Sequence, residues 1–98
     1  LAACTLAKQK LGEIGALKFP HDGSHHFNEF VVELPASTEH CLTYLDSVGV
    51  VGGFNLSTWY PERTNWLLVT CTDQTSEKEI EILAQHISEW VHSLEVAA

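Results

Sequence analysis

Methionine is absent from the 98 residues of this chain, and arginine occurs only once. Because synthesis starts at methionine, we expect these residues to be a piece of a longer polypeptide. Positive charge is also scarce, with 5 lysines and arginines against 13 acidic residues and a formal net charge of -8. Such a chain repels phosphate backbones and lacks the basic clusters that release their counterions. We therefore expect no nucleic-acid partner.

Cysteine is sparse as well: Cys4, Cys41 and Cys71 are odd in number, far apart and form no C-x-x-C pair. This spacing predicts neither a disulfide framework nor a zinc site, and reduced thiols are expected. No apolar run approaches the roughly 20 residues of a membrane helix, and no signal-peptide pattern is present. We expect no membrane contact and a cytoplasmic parent protein.

Apolar residues make up 45% of the chain and charged residues 18%, which predicts one folded domain over residues 1–98. The apolar spacing alternates between helix and strand periods. Helices are predicted over 1–14, from 37 or 38 to 48, and from near 76 onward. Strands are predicted over 16–19, 28–34, 50–51 and 66–72, and a loop is predicted over 52–65. Since each element has one apolar side to bury, the helices must cover the sheet. The predicted fold class is α+β, a two-layer sandwich whose small, mostly antiparallel sheet is covered by helices.

Two helix boundaries have recognisable capping residues. Ser37 or Thr38 can cap a helix, and Gly49 can take the left-handed position that closes it. Ser76 and Glu79 form a capping box before the last helix. The buried side of the middle helix is predicted from its apolar spacing to contain Cys41, Leu42, Leu45 and Val48.

The most distinctive passage lies between residues 50 and 62, where a glycine pair, an apolar loop and Tyr60-Pro61-Glu62 precede the apolar strand. Gly52 and Gly53 have no Cβ, which allows positive φ and the close approach of another backbone. No third glycine, lysine or helix start follows at phosphate-loop spacing. On their own, these residues indicate a turn followed by a loop that ends at Tyr60-Pro61-Glu62.

Together with Phe-Asn-Glu-Phe-Val-Val at 27–32, and with 67–69 and 72–81 downstream, this passage resembles part of a known family. It is similar to the C-terminal small domain of subunit 1 of decarboxylating glycine dehydrogenase, the P-protein of the glycine cleavage system. That family has fold type I and depends on pyridoxal phosphate (PLP). The resemblance is clearest from 27 to about 83, and it implies the same two-layer architecture that the periodicity predicts.

The resemblance implies a complex that uses PLP as an electron sink to decarboxylate glycine and passes the aminomethyl group to the lipoyl H-protein. The PLP lysine would lie on subunit 2, so this chain would contain no catalytic and no cofactor-binding residue. It would be a structural domain that closes the cleft. Its expected partners are the large domain of the same polypeptide, subunit 2 and the H-protein.

The resemblance also implies which residues border the large domain. The start of the strand at 28–34 and the loop after residue 51 would face it. The domain-interface or cleft-lining candidates are Asn28, Glu29, Gly52, Gly53, Tyr60, Pro61 and Glu62. Asn28 and Glu29 would hydrogen-bond across the boundary, whereas Arg63 is expected to face solvent instead of holding a substrate carboxylate.

Other functions have weaker support in the residues. His21, His25 and His26 resemble a metal cluster, but they come with one carboxylate and two flexible residues, and we expect no metal. No nucleophile elbow is present. The main alternative is a non-catalytic ligand-binding or dimerisation module, with the loop over 52–65 as the lip of its site.

Overall fold

The computed structural model describes residues 3–20, 29–51, 53–71 and 74–97. Within these ranges the secondary structure consists of three α-helices, three strands and one short 3-10 helix. The elements are α1 (Ala3–Gly12), β1 (Glu29–Glu33), α2 (Thr38–Ser47), β2 (Phe54–Asn55), the 3-10 helix Leu56–Thr58, β3 (Trp66–Thr70) and α3 (Glu77–Ala97).

Strand β3 lies at the centre of the sheet and pairs antiparallel with β1 on one side and β2 on the other. The continuous apolar run at 66–72 predicted such a central strand, and this prediction is confirmed. Val31 and Phe54 are both directly opposite Leu68 in the register. Residues opposite each other in antiparallel strands point to the same face of the sheet. The register therefore defines which side chains share each face.

The helices pack on one face of this sheet, which we call the inner face. Alternate strand residues point into the core there, as the alternation at 28–34 predicted. Fully or nearly fully buried apolar side chains come from all three helices, from β1 and β3, and from the residue after each of these strands. They include Ala7, Leu11, Val32, Leu34, Cys41, Leu45, Leu67, Val69, Cys71, Ile80, Ile87 and Trp90. The predicted α+β two-layer class is confirmed.

Two predicted strands are wrong. The run at 16–19 contributes a single antiparallel bridge, between Lys18 and Glu33, because Pro20 follows at once and proline cannot donate to a ladder. The pair at 50–51 is not a strand either. The amide of Val50 already donates to Leu45 O at 2.9 Å, so it closes α2 instead of pairing in the sheet. The edge strand is β2, which lies inside the predicted loop.

Helix α2 is capped at both ends by the residues that its sequence indicated. Ser37 is the N-cap, and its side chain accepts from the amide of His40 at 3.4 Å. Gly49 has φ +77° and donates to Asp46 O at 3.0 Å, which with the Val50 bond forms a Schellman closure. Val48 was expected on the buried side but is 41% exposed, because it is the C-cap, where the helix ends.

Helix α3 is joined to α2 through a buried tryptophan. Ser76 caps α3 by accepting from the amide of Glu79 at 3.1 Å, as predicted. One turn from its buried residue Ile87, the fully buried Trp90 donates its indole N–H to Nδ1 of His40 at 2.9 Å. This bond satisfies the only polar atom of the largest core side chain.

No helix within the described ranges has the length and apolar character needed to span a membrane.

We expect the stability of the chain to fall at alkaline pH because of Cys41. Burial raises the pKa of this thiol from 9.0 to about 12. Between those values the unfolded thiol loses its proton and the folded one keeps it, so the free energy of unfolding decreases as the pH rises above about 9. The Cys41→Ala variant has no thiol to lose a proton, so it lacks this pH dependence, but it is less well packed at every pH. In urea unfolding, the stability gap between the two chains should narrow above about pH 9; a constant gap would contradict this account.

Candidate functional site

The residues predicted to border a larger body are only partly within the described ranges. Asn28 and Gly52 lie outside them, as does the histidine loop at 21–26. Glu29 begins β1, is exposed, and lies opposite the exposed Thr70 at one end of the sheet. Its carboxylate therefore faces away from the helical layer and is accessible to a partner.

Gly53 has both properties expected from the sequence of the glycine pair. Its φ is +139°, a region that residues with a Cβ rarely adopt. A Cβ on Gly53 would collide with the backbone carbonyl oxygen of Leu68 on β3. The glycine thus lets the chain enter β2 directly against the central strand.

The loop that follows β2 is ordered by backbone hydrogen bonds around Tyr60. The amide of Tyr60 donates to Leu56 O at 2.8 Å, and the amide of Arg63 donates to Tyr60 O at 2.8 Å. Pro61, with its fixed φ, and Glu62 form the exposed turn between these two bonds. The Tyr60-Pro61-Glu62 sequence is therefore a surface feature held in one conformation.

An aromatic and charged cluster forms where this loop meets β3. The ring of Tyr60 lies 6.1 Å from that of Trp66, and the guanidinium carbon of Arg63 lies 4.8 Å from the Trp66 centroid. The Trp66 indole N–H donates to a carboxylate oxygen of Glu33 at 3.2 Å. Arg63 is exposed, as expected, but it is held over the indole by a cation–π contact.

The second face of the sheet, opposite the helices, contains an apolar row that the sequence analysis missed. Val31, Leu68 and Phe54 lie side by side across β1, β3 and β2. Val31 and Leu68 are partly buried, and Phe54 is 55% exposed. Trp66 lies on the same face, two residues from Leu68. We call these four residues the open sheet face. The unbroken apolar sequence of β3 was the available signal, since strands buried on both faces have such runs.

Metal binding has no support in the part of the chain that the structure describes, where no group of three or more His, Cys, Asp or Glu side chains could hold an ion. The predicted absence of metal at His21, His25 and His26 remains untested, because these residues lie outside the described ranges.

A PLP site does not fit the lysines of this chain. A lysine that forms a Schiff base is activated by desolvation in an apolar pocket or by a neighbouring cation. Lys18 and Lys78 are exposed, and Lys10 Nζ lies 3.9 Å from the carboxylate of Glu81. Lys8 is partly exposed, and its Nζ lies 6.0 Å from the Phe19 centroid. None of the four has the surroundings that this chemistry requires.

Comparison with solved structures defines the class of domain. The chain superposes on a glycine decarboxylase (P-protein) of the glycine cleavage system, crystallised in inhibitor-bound form, with a TM-score of 0.75 and 25% sequence identity. The match covers 89% of this chain and 19% of that one. The fold is therefore that of one small α+β segment of a P-protein.

Sequence comparison finds relatives among glycine dehydrogenase subunits. The chain is 35% identical over 79 residues to the probable glycine dehydrogenase (decarboxylating) subunit 1 of Geotalea daltonii, and 30% identical over 82 residues to that of Dictyoglomus turgidum. These matches cover 81% and 84% of this chain but 18% of each relative. No protein-family model matches. The resemblance to glycine dehydrogenase subunit 1 is confirmed, and the chain spans under a fifth of the length of these relatives.

We expect Gly53→Ala to destabilise the chain by roughly 1–3 kcal/mol, because the methyl group meets a backbone carbonyl and the φ is unfavourable. Gly49→Ala is the matched control: φ is also positive there, but a Cβ meets nothing within 4 Å. The control should lose only about 1 kcal/mol, from φ strain alone. Urea unfolding of both variants measures the difference. Equal losses would show that the contact with Leu68 is relieved at little cost.

Proposed function

We propose that this chain is the C-terminal domain of a glycine dehydrogenase (decarboxylating) subunit 1. The observation that carries the proposal is the superposition of 89% of the chain on a segment of an inhibitor-bound glycine decarboxylase. The subunit 1 relatives support the same assignment over about four-fifths of the chain. In the complete complex, PLP supplies the electron sink for loss of the glycine carboxylate, and the aminomethyl group goes to the lipoyl H-protein.

The role proposed for this domain is structural: it closes one side of the cleft and excludes water from the reaction. The geometry that supports this role is a rigid, exposed loop beside an apolar sheet face. Glu29 lies at one end of that face, Gly53 lies against Leu68, and the Tyr60 ring lies near Trp66. Pro61 and Glu62 follow Tyr60 in the same exposed loop. Asn28 and Gly52 remain candidates from the sequence. In this proposal the PLP lysine lies on subunit 2, because the four lysines of this chain lie at its surface.

The proposed partners follow from the same assignment. The large domain of the same polypeptide would lie against this domain, subunit 2 would complete the active site, and the H-protein would deliver its lipoyl arm. The proposed location of the complex is the cytoplasm. No role in binding nucleic acid is proposed, given the net charge of -8.

A chimaeric subunit tests the proposal. The 79 matching residues of the Geotalea daltonii subunit 1 would be replaced by the corresponding residues of this chain, and the subunit assembled with subunit 2, PLP and lipoyl H-protein. We expect release of labelled carbon dioxide from carboxyl-labelled glycine. The unaltered subunit is the positive control, and a subunit that lacks the segment is the negative control. A folded, assembled chimaera as inactive as the deletion would overturn the proposal.

We also expect that this chain alone forms no covalent adduct with PLP at one defined lysine. Its lysines are surface groups without a desolvated pocket. Incubation with PLP, borohydride reduction and peptide mass spectrometry would show only low, scattered modification, similar to that of urea-unfolded chain. Stoichiometric labelling of one of Lys8, Lys10, Lys18 or Lys78 in the folded chain would contradict the proposal that the PLP lysine belongs to subunit 2.

A further inference from the structure

The open sheet face is apolar at its centre, polar at one end and aromatic at the other. Leu68 lies in the middle, with Val31 on one side and the 55% exposed Phe54 on the other. At one end of the strands lie the exposed Glu29 and Thr70. Protein interfaces have this arrangement, with an apolar centre that loses its water and a polar rim that stays wet.

The opposite end of this face is already organised. Trp66 is fixed there by its hydrogen bond to Glu33, by the Arg63 guanidinium and by the Tyr60 ring. Tyr60 is itself 49% exposed. Aromatic and arginine side chains held rigid before binding lose little conformational entropy when a partner arrives, which is why they contribute strongly to interfaces.

Strand β3 has apolar residues on both faces, but the described helices cover only one of them. Its inner residues Leu67 and Val69 are 0% and 1% exposed beneath the helices. Its outer residues Trp66 and Leu68 are only partly buried, although their sequence is that of a strand enclosed on both sides. A cover for the second face is missing from the described residues.

We infer that the rest of the subunit 1 polypeptide docks on the open sheet face and supplies that cover. The inference rests on the proposed function and adds the surface on which the large domain seats. The chain spans 18% of its relatives, so more than four-fifths of their length lies outside it. A partner joined by the same backbone acts at a high effective concentration, which favours it over a separate chain.

Hydroxyl-radical footprinting of the chimaeric subunit 1, without subunit 2, tests this inference directly. We expect Phe54, which is 55% exposed in this domain, to be oxidised severalfold more slowly, after correction for intrinsic reactivity, than Val96, which is 71% exposed on α3. The buried Leu67 reports that the sheet is folded. Protection that is independent of protein concentration supports an intramolecular cover.

Each other pattern of protection would overturn the inference. Protection that appears only when subunit 2 is added assigns the face to the partner subunit. Protection that grows with the concentration of subunit 1 assigns it to a second copy. Oxidation of Phe54 as fast as that of Val96 under all conditions means that the face stays open.

A pair of variants in the same chimaera gives a second test. Phe54→Lys places a charge next to Leu68 on the face, and Val96→Lys places the same charge on an exposed apolar position of α3. We expect Leu68 and Trp66 to be oxidised faster in the Phe54 variant than in the unaltered chimaera while Leu67 stays protected, and the Val96 variant to match the unaltered chimaera. Unchanged protection of Leu68 in the Phe54 variant would contradict docking on this face.

These readouts are independent of catalysis. A chimaera that is inactive but protected at Phe54 would contradict the proposed function and still support the docking surface. A chimaera that is active but unprotected at Phe54 would contradict the docking surface alone.

Discussion

The fold depends on the burial of the inner side of β3 in the core that it shares with the three helices. Leu67 and Val69 are almost completely buried there, against a helical layer that includes the fully buried Ile87 and Trp90. Strand β3 also supplies the backbone partners for both other strands. A fully buried tryptophan contributes a large apolar area, and its one polar atom is satisfied by His40. The three helices and strands β1 and β3 thus contribute to one hydrophobic core.

The same strand determines the other side of the domain. Its outer residues alternate with the buried ones, so any sequence that places Leu67 and Val69 in the core places Trp66 and Leu68 on the opposite face. Apolar residues at those positions add nothing to packing under the helices. They occur in a chain with a net charge of -8, and such apolar positions on an outer face favour a use beyond the fold of the domain itself.

The parts of the fold that were predictable are those with strong periodicity or a local capping rule. Local residue patterns predict helix α3, the central strand and the caps at Ser37, Gly49 and Ser76. The edge strand β2 was missed because two residues are too few for a period to appear. It exists only because Gly53 permits the chain to approach Leu68, a contact between residues far apart in sequence.

The candidate site was predictable to a similar extent. The family resemblance selected the loop with Tyr60, Pro61 and Glu62, which is indeed exposed and ordered. It did not select Val31, Leu68 and Phe54, because their adjacency follows from the strand register, which no local pattern specifies. Three separate stretches of chain contribute one residue each, and only the pairing of the strands brings them together.

The shortness of β2 has a consequence for solubility. A long outer strand next to an apolar face would offer unpaired amide and carbonyl groups on which another molecule could extend the sheet, the first step of aggregation. Here the β2 edge is two residues long, follows Gly53 and leads into a 3-10 helix capped by the Asn55 side chain, which accepts from the amide of Ser57 at 2.9 Å. The β2 edge is therefore too short to template a growing fibril, even while the neighbouring face remains apolar.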